Sequence, residues 1–264
     1  MFDLPAIQKA LGEFGLDGWL LYDFRGSNKP GRRVLDIPDS KHTSRRFLYA
    51  IPREGEPVRI VHAIEPAVLD HLPGRKRTYL RWEDLEAAIA EGLQGLKRVA
   101  MEYAPGVSNP YVSQVDAGTI EAVQKTGVEV ASSGDLIQRF EATWDDAQWQ
   151  MHLEADGFTR AAFDLAWNLI ADRVRSGQTI TECEVQAAIM RHFEANGLET
   201  YSPPIVGVGP HSGDPHFENT PANDTPIREG DFVLVDLWAK MKQPRSVYSD
   251  LTRMGFVGET VPEI

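Results

Sequence analysis

Residues 232–258, FVLVDLWAKMKQPRSVYSDLTRMGFVG, place two strand-like apolar runs on either side of a polar, Pro-containing turn, with a carboxylate inside each run. No other feature constrains the fold as much. Two such runs joined by a short turn form an antiparallel hairpin, which sends alternate side chains to opposite faces. Phe232, Leu234 and Trp238 share the face of Asp236, while Val233, Val235 and Leu237 take the other, so the first strand reads as buried on both sides. A turn around Gln243 sets Asp236 directly opposite Asp250, with Cβ atoms roughly 5 Å apart. Two ionised carboxylates that close in an apolar sheet repel, and burying one unpaired charge costs on the order of several kcal/mol. A shared proton, a basic partner such as Arg253 or Lys240, or a divalent cation would offset this. The cation fits the chemistry best, because carboxylates are hard oxygen ligands at about 2.0–2.6 Å from such metals. The bland alternative leaves one aspartate as a solvated edge residue and pairs the other with Arg253.

The length of 264 residues accommodates two ordinary domains. A formal net charge of -12 disfavours general attraction to nucleic acid phosphates or anionic membranes, and suits a site that attracts cations. The N-terminal MFDLPAIQKALGEFGL is acidic without a long apolar core, which reads as neither signal peptide nor membrane anchor. The single cysteine, Cys183, cannot form an internal disulfide. Its helical setting, TECEVQAAIMRHF, makes it a packing residue rather than a nucleophile, and a cytoplasmic location follows.

PAIQKALGEFGL reads as a helix closed by Gly15, followed by the strand DGWLLYD. Further strands are expected in RRFLYAIP, EPVRIVHAI, KRTYL, KRVAMEY and GVEVAS, with helices in WEDLEAAIAEGLQGL and SQVDAGTIEAVQKTG. That alternation predicts an α/β domain with a mixed sheet and flanking helices over residues 1–142. The pattern then changes to a long helix, with Thr143 as its cap and Asp146 at the third position, and a second helix opened by a Thr181–Glu184 capping box and stopped at Gly197. A Gly- and Pro-rich stretch, 201–231, leads into the hairpin.

That stretch holds VGVGPHSGDPHFENT, with His211 and His216. His216, between Pro215 and an aromatic, is the candidate for a fixed orientation in a pocket. The glycines lack G-x-G-x-x-G spacing, no G-x-S-x-G elbow surrounds Ser202, Ser212 or Ser249, and neither H-E-x-x-H nor C-x-x-C occurs. Phosphate-loop, serine-hydrolase and the commoner zinc patterns are thereby excluded.

PPIVGVGPHSGDPHFE, GDFVLVDLWAK and VYSDLTRMGFVG, in that order, resemble the pita-bread metallopeptidase family, which includes aminopeptidase P, prolidase, methionine aminopeptidase and the metal-free creatinase. DGWLLYDFRGSN, RRFLYAIPREGEP, VAMEY and VDAGTIEAV resemble the creatinase-type N-terminal domain of its proline-specific branch. The resemblance implies that residues 143–264 begin an α+β pita-bread domain. It implies that Asp236 and Asp250 are metal ligands in a centre of two divalent ions, manganese first and cobalt or zinc as alternatives, and that His216 is catalytic. The implied activity is that of an Xaa-Pro aminopeptidase or dipeptidase acting on peptides with proline in second position, usually as a homodimer.

The sequence departs from the family in two ways. The aspartates are 14 positions apart, wider than the family's usual spacing, so the extra residues form either a longer turn or a bulge that disrupts the pair. The family also completes its site with a histidine and two glutamates from later strands, and only Glu259 and Glu263 follow Asp250 here, so the chain alone is expected to be inactive. A non-catalytic binding or dimerisation relative is one alternative. Metal-free creatinase-like C–N hydrolysis is another, against which retention of both aspartates speaks.

Overall fold

The structure is a computed structural model that describes residues 2–263. The chain divides into two compact units, Met1–Thr143 and Trp144–Ile264.

Unit 1 opens with α1 (Leu4–Glu13), capped by the Asp3 side chain and followed by Gly15 at φ 64°, and continues through β1 (Gly18–Asp23) and the short α2 (Lys29–Val34). Then come β2 (Phe47–Pro52), β3 (Val58–His62), β4 (Arg75–Tyr79), α3 (Trp82–Gly92) and β5 (Arg98–Met101). The unit ends with α4 (Ala117–Gln124), β6 (Glu129–Ser132) and α5 (Gly134–Ile137). The strands form one mixed sheet in the order β4-β3-β2-β1-β5-β6, antiparallel between β1, β2 and β3 and parallel elsewhere. Central β1 is buried along its whole length because apolar clusters cover both faces of the sheet. The expected strands, helices and α/β class are all present. The helix α2 in KPGRRV is an addition that the apolar periodicity of the sequence did not signal, since its side chains are mostly polar.

Unit 2 begins with α6 (Asp146–Arg175) and α7 (Glu182–Ala195), followed by β7 (Leu198–Glu199), β8 (Ile205–Val208), β9 (Phe232–Met241) and β10 (Ser249–Phe256). The cap of α6 is Asp145 with Gln148 in a reciprocal box, rather than the expected Thr143 and Asp146, because Asp145 already adopts extended backbone and its carboxylate reaches the Gln148 N–H. Thr181 and Glu184 form the expected box on α7.

β9 is the middle strand, paired antiparallel with β10 on one side and with β8 and β7 on the other. Val233, Val235, Leu237, Ala239 and Met241 are buried against α6 and α7, whose small residues Ala155, Thr159, Ala162 and Ala166 allow close approach. Thr159 Oγ1 and Ser249 Oγ, both buried, hydrogen bond at 2.8 Å. The opposite face, with Phe232, Leu234, Asp236, Trp238 and Lys240, is only half-buried. The expectation of burial on both sides is thus corrected: the helices cover one face alone.

The hairpin register also differs from the expected one. Asp236 lies opposite Thr252 and Asp250 opposite Trp238, so the turn centres on Pro244 and the two aspartates are diagonal neighbours on one face. The ladder runs unbroken from Ser249–Ala239 to Phe256–Phe232, which puts the additional residues in the turn rather than in a bulge. Strand periodicity fixes the face of each side chain but leaves the register free to slide in steps that preserve the face. Here the turn sets it: the Gln243 N–H and the Ser246 hydroxyl both donate to the Met241 carbonyl, at 2.7 and 2.6 Å, and Arg245 takes a left-handed backbone at φ 63°.

The α7 box holds the helix that backs this sheet. Thr181→Ala is expected to cost about 1 kcal/mol, measured as a lower urea midpoint at unchanged slope.

Candidate metal centre

Asp236 comes from the centre of β9 and Asp250 from the start of β10, on the face that the helices leave uncovered. Both line a cavity of about 580 Å³, within the size range of small-ligand sites. Thr252 Oγ1 donates to Asp236 Oδ1 at 2.6 Å, so the partner of Asp236 is a neutral hydroxyl. Neither base suggested by the sequence plays that part. The Arg253 guanidinium lies 4.7 Å from the centroid of the Phe163 ring, and Lys240 pairs with Glu199 at 3.3 Å. Thr252 was legible only with the correct register, which sets it opposite Asp236.

The carboxyl of Asp250 is pushed above its ordinary pKa by partial burial and, after that, by the charge of Asp236. The diagonal arrangement therefore retains the repulsion inferred from the sequence, in milder form. A pair of hard carboxylates on one face of a cavity, with the charge of Asp236 disfavouring ionisation of Asp250, is a donor set that a divalent cation would relieve. Among the described residues, no group of three or more His, Cys, Asp and Glu side chains could hold a metal ion.

His216 lines the same cavity. It is exposed, and its backbone N–H donates to Asp214 Oδ1 at 2.9 Å. The loop that carries it is held by a carboxylate that sequence reasoning missed. Glu182, fully buried at the start of α7, accepts the N–H of Val208 at 2.7 Å and of Thr225 at 3.2 Å, and its Oε1 lies 2.9 Å from His211 Nδ1. The His211 ring stacks on Phe217, with centroids 4.1 Å apart. His211 is thus tied to the fold, while His216, the residue before Phe217, lines the cavity. Gly207 permits the tight return of the loop, since a Cβ there would sit 2.7 Å from the His211 carbonyl oxygen. Asn219, another residue the sequence did not flag, bonds the backbone N–H and C=O of Val206 and lines the cavity.

Trp238, stacked with Tyr201 at 5.7 Å, gives the cavity an aromatic wall beside Asp250. Its indole N–H is buried without an acceptor. Cys183 stays out of the chemistry: burial, then Asp224, pushes its thiol up to about 11.

Residues 151–264 match Metallopeptidase family M24. This part of the chain is similar to M24 metallopeptidase domains. The resemblance to the pita-bread family drawn from the sequence is borne out, and that family of peptidases implies divalent metal cofactors. The chain is 38% identical to the probable dipeptidase PepE of Mycobacterium tuberculosis over 133 residues, covering 50% of this chain and 32% of that protein. The solved dipeptidase PepE of Mycobacterium ulcerans superposes with a TM-score of 0.67 at 22% identity, over 98% of this chain and 65% of that one. An Xaa-Pro dipeptidase from Bacillus anthracis does so with a TM-score of 0.62 at 17% identity, over 98% and 65%. The N-terminal domain of the FACT complex subunit SPT16 from Eremothecium gossypii shares the fold at a TM-score of 0.57 and 10% identity, over 97% and 68%. The chain spans less than two thirds of the length of these dipeptidases.

The raised pKa of Asp250 sets the sign of a pH effect. Its folded value lies above its unfolded value, so ionisation costs the folded state stability, a cost absent at pH below the unfolded value and complete above the folded one. In metal-free buffer, Asp250→Asn is therefore expected to be more stable than wild type at neutral pH, by no more than about 1 kcal/mol after solvent screening. The two should converge as pH falls through the carboxylate range, measured by thermal midpoint against pH.

Proposed function

We propose that Asp236 and Asp250 are ligands of a divalent-metal centre in an Xaa-Pro exopeptidase. The observation that carries this reading is the pair of aspartates on one face of a hairpin in the M24-like part of the chain, sharing a cavity with His216. The substrate is a dipeptide or longer peptide with proline second, cut at the bond before the proline. The Xaa-Pro dipeptidase with the same fold and the PepE relatives support that choice.

The chain's own residues have separate tasks. Asp236, steadied by the Thr252 hydroxyl, and Asp250 would hold the metal pair, with manganese first in line. When bound, the cations would lower the pKa of water and polarise the scissile carbonyl. His216 would donate a hydrogen bond or a proton to the reacting peptide; its place in the cavity lining, outside the Glu182 anchor that ties down His211, supports that role. Tyr201 and Trp238 supply a flat apolar surface for a proline ring. Asp250 gains from cation binding what it loses to Asp236 in the metal-free state. Cytoplasmic location and a homodimer accompany this proposal; among the described residues no helix is long and apolar enough to cross a membrane.

A second reading, a non-catalytic binding protein, is favoured by one observation: the same fold serves in a domain of a FACT complex subunit. Metal content decides between the two. With manganese in excess, wild type should retain bound metal after desalting, while Asp236→Ala and Asp250→Ala lose it, read by mass spectrometry of the metals. Cleavage of an Xaa-Pro dipeptide should fall at least ~100-fold in Asp250→Ala. Unchanged metal content in Asp250→Ala would sink the exopeptidase reading.

A further inference from the structure

We infer that unit 1 carries a binding site for a small phosphate-type oxyanion, in the cavity between the turn after β1 and the loop that leads into β2. The site is built from residues of unit 1 alone and does not depend on the function proposed for unit 2. Its volume is about 280 Å³. A water occupies about 30 Å³ of liquid, so a tetrahedral anion fits with part of its hydration shell.

The lining reverses the character of the chain. Arg25, Lys29, Arg32, Lys41 and His42 meet there against a single carboxylate, Asp39, in a protein of net charge -12. Cations elsewhere in unit 1 are largely paired: Arg33 with Glu141, Arg53 with Asp17, Arg59 with Asp70, Arg98 with Glu129 and Arg139 with Glu13. Arg25 and Lys29 are exposed and, among the described residues, neither they nor Lys41 has a carboxylate at ion-pair distance. The Lys41 ammonium donates to the Val68 carbonyl at 3.1 Å and feels the Asp70 carboxylate only from beyond ion-pair distance.

Free side chains of like charge would ordinarily drift apart, but here the backbone that bears them is stapled. Arg32, 3% exposed, pairs with buried Asp23 at 3.2 Å and donates to Thr43 Oγ1 and to the carbonyls of Pro38 and Lys41. Asp23 in turn accepts the N–H groups of Gly26 and Asn28 at 3.1 and 3.0 Å. Arg32 is thereby a positioning residue. It spends its donors tying the turn that carries Arg25 and Lys29 to the loop that carries Lys41 and His42. The cations free to bind are those it holds together.

A compact dianion answers this arrangement better than the alternatives. A carboxylate brings one charge for three cations, and an extended polyanion is disfavoured by the chain's net charge of -12. A phosphate group offers two charges and several acceptor oxygens to Arg and Lys donors. Inorganic phosphate and a phosphate monoester present the same chemistry.

The test is calorimetric titration of inorganic phosphate into the 264-residue chain, with chelator present and ionic strength fixed. One saturable site is expected, with a Kd on the order of 1 mM or tighter. Lys29→Ala and Arg25→Gly should each weaken it about tenfold. Arg25 sits in left-handed backbone at φ 59°, so Arg25→Gly should unfold no earlier than wild type while binding worse, which separates lost affinity from lost fold. Arg53→Ala, whose partner is Asp17, should bind as wild type does. A parallel titration with glycerol phosphate identifies the source: comparable affinity assigns a phosphate monoester, and binding of phosphate alone assigns the free ion. The inference is overturned by the absence of saturable heat, by wild-type affinity in both Lys29→Ala and Arg25→Gly, or by an equal loss in Arg53→Ala.

Discussion

The side-chain period of two along β9 and β10, pinned from one side by helices, is the constraint on which unit 2 depends. Val233, Val235, Leu237 and Ala239 are fully buried, and α6 lies close enough for Thr159 to bond Ser249. Sliding either strand by one residue would turn those apolar side chains to solvent, at about 1.5–3 kcal/mol for each large one, and drive the aspartates into the helices. The position of the two carboxylates is therefore enforced by core packing that never touches them. A site with like charges on one face is tolerable because the fully buried apolar core of the sheet is on the other.

The histidine loop follows the same division of labour. Glu182 is buried in the first turn of α7, where negative charge is favoured by the helix dipole, and it gathers β8, the turn after it and the segment before β9. His211 is consumed in that anchor. His216, only five positions on, is left exposed beside the carboxylates. Two histidines in one short loop thus have opposite fates, decided by which of them reaches a carboxylate inside the fold.

Much of this was legible in the sequence because it rests on periodicity and local caps. The strands of unit 1, the α7 box and the shared face of Asp236 and Asp250 all follow from patterns a few residues long. What was not legible depends on contacts distant along the chain. The register could not be read, since a shift of the turn centre from Gln243 to Pro244 preserves every face and is decided by the bonds to the Met241 carbonyl. Nor could the half-exposure of β9, because Phe232, Leu234 and Trp238 look as apolar as their neighbours and only the placement of α6 and α7 shows which face is covered. Glu182 was read only as part of a capped helix. Its role needs three partners between 26 and 43 positions away, which no local pattern encodes.

The seven residues between β9 and β10, 242–248, lie outside the ladder that sets the carboxylates, and their arginine is held at a distance from them. Arg245 reaches the first turn of α6, to Asp145 and to Gln148, at 2.9 Å each. The loop behaves as a handle fastened to a helix rather than as a hinge between the two strands. Its length is consequently open to change only within limits: a peptide spliced in here would project from the hairpin, and the spacing of Asp236 and Asp250 survives it where the bonds of Gln243 and Ser246 to the Met241 carbonyl are kept.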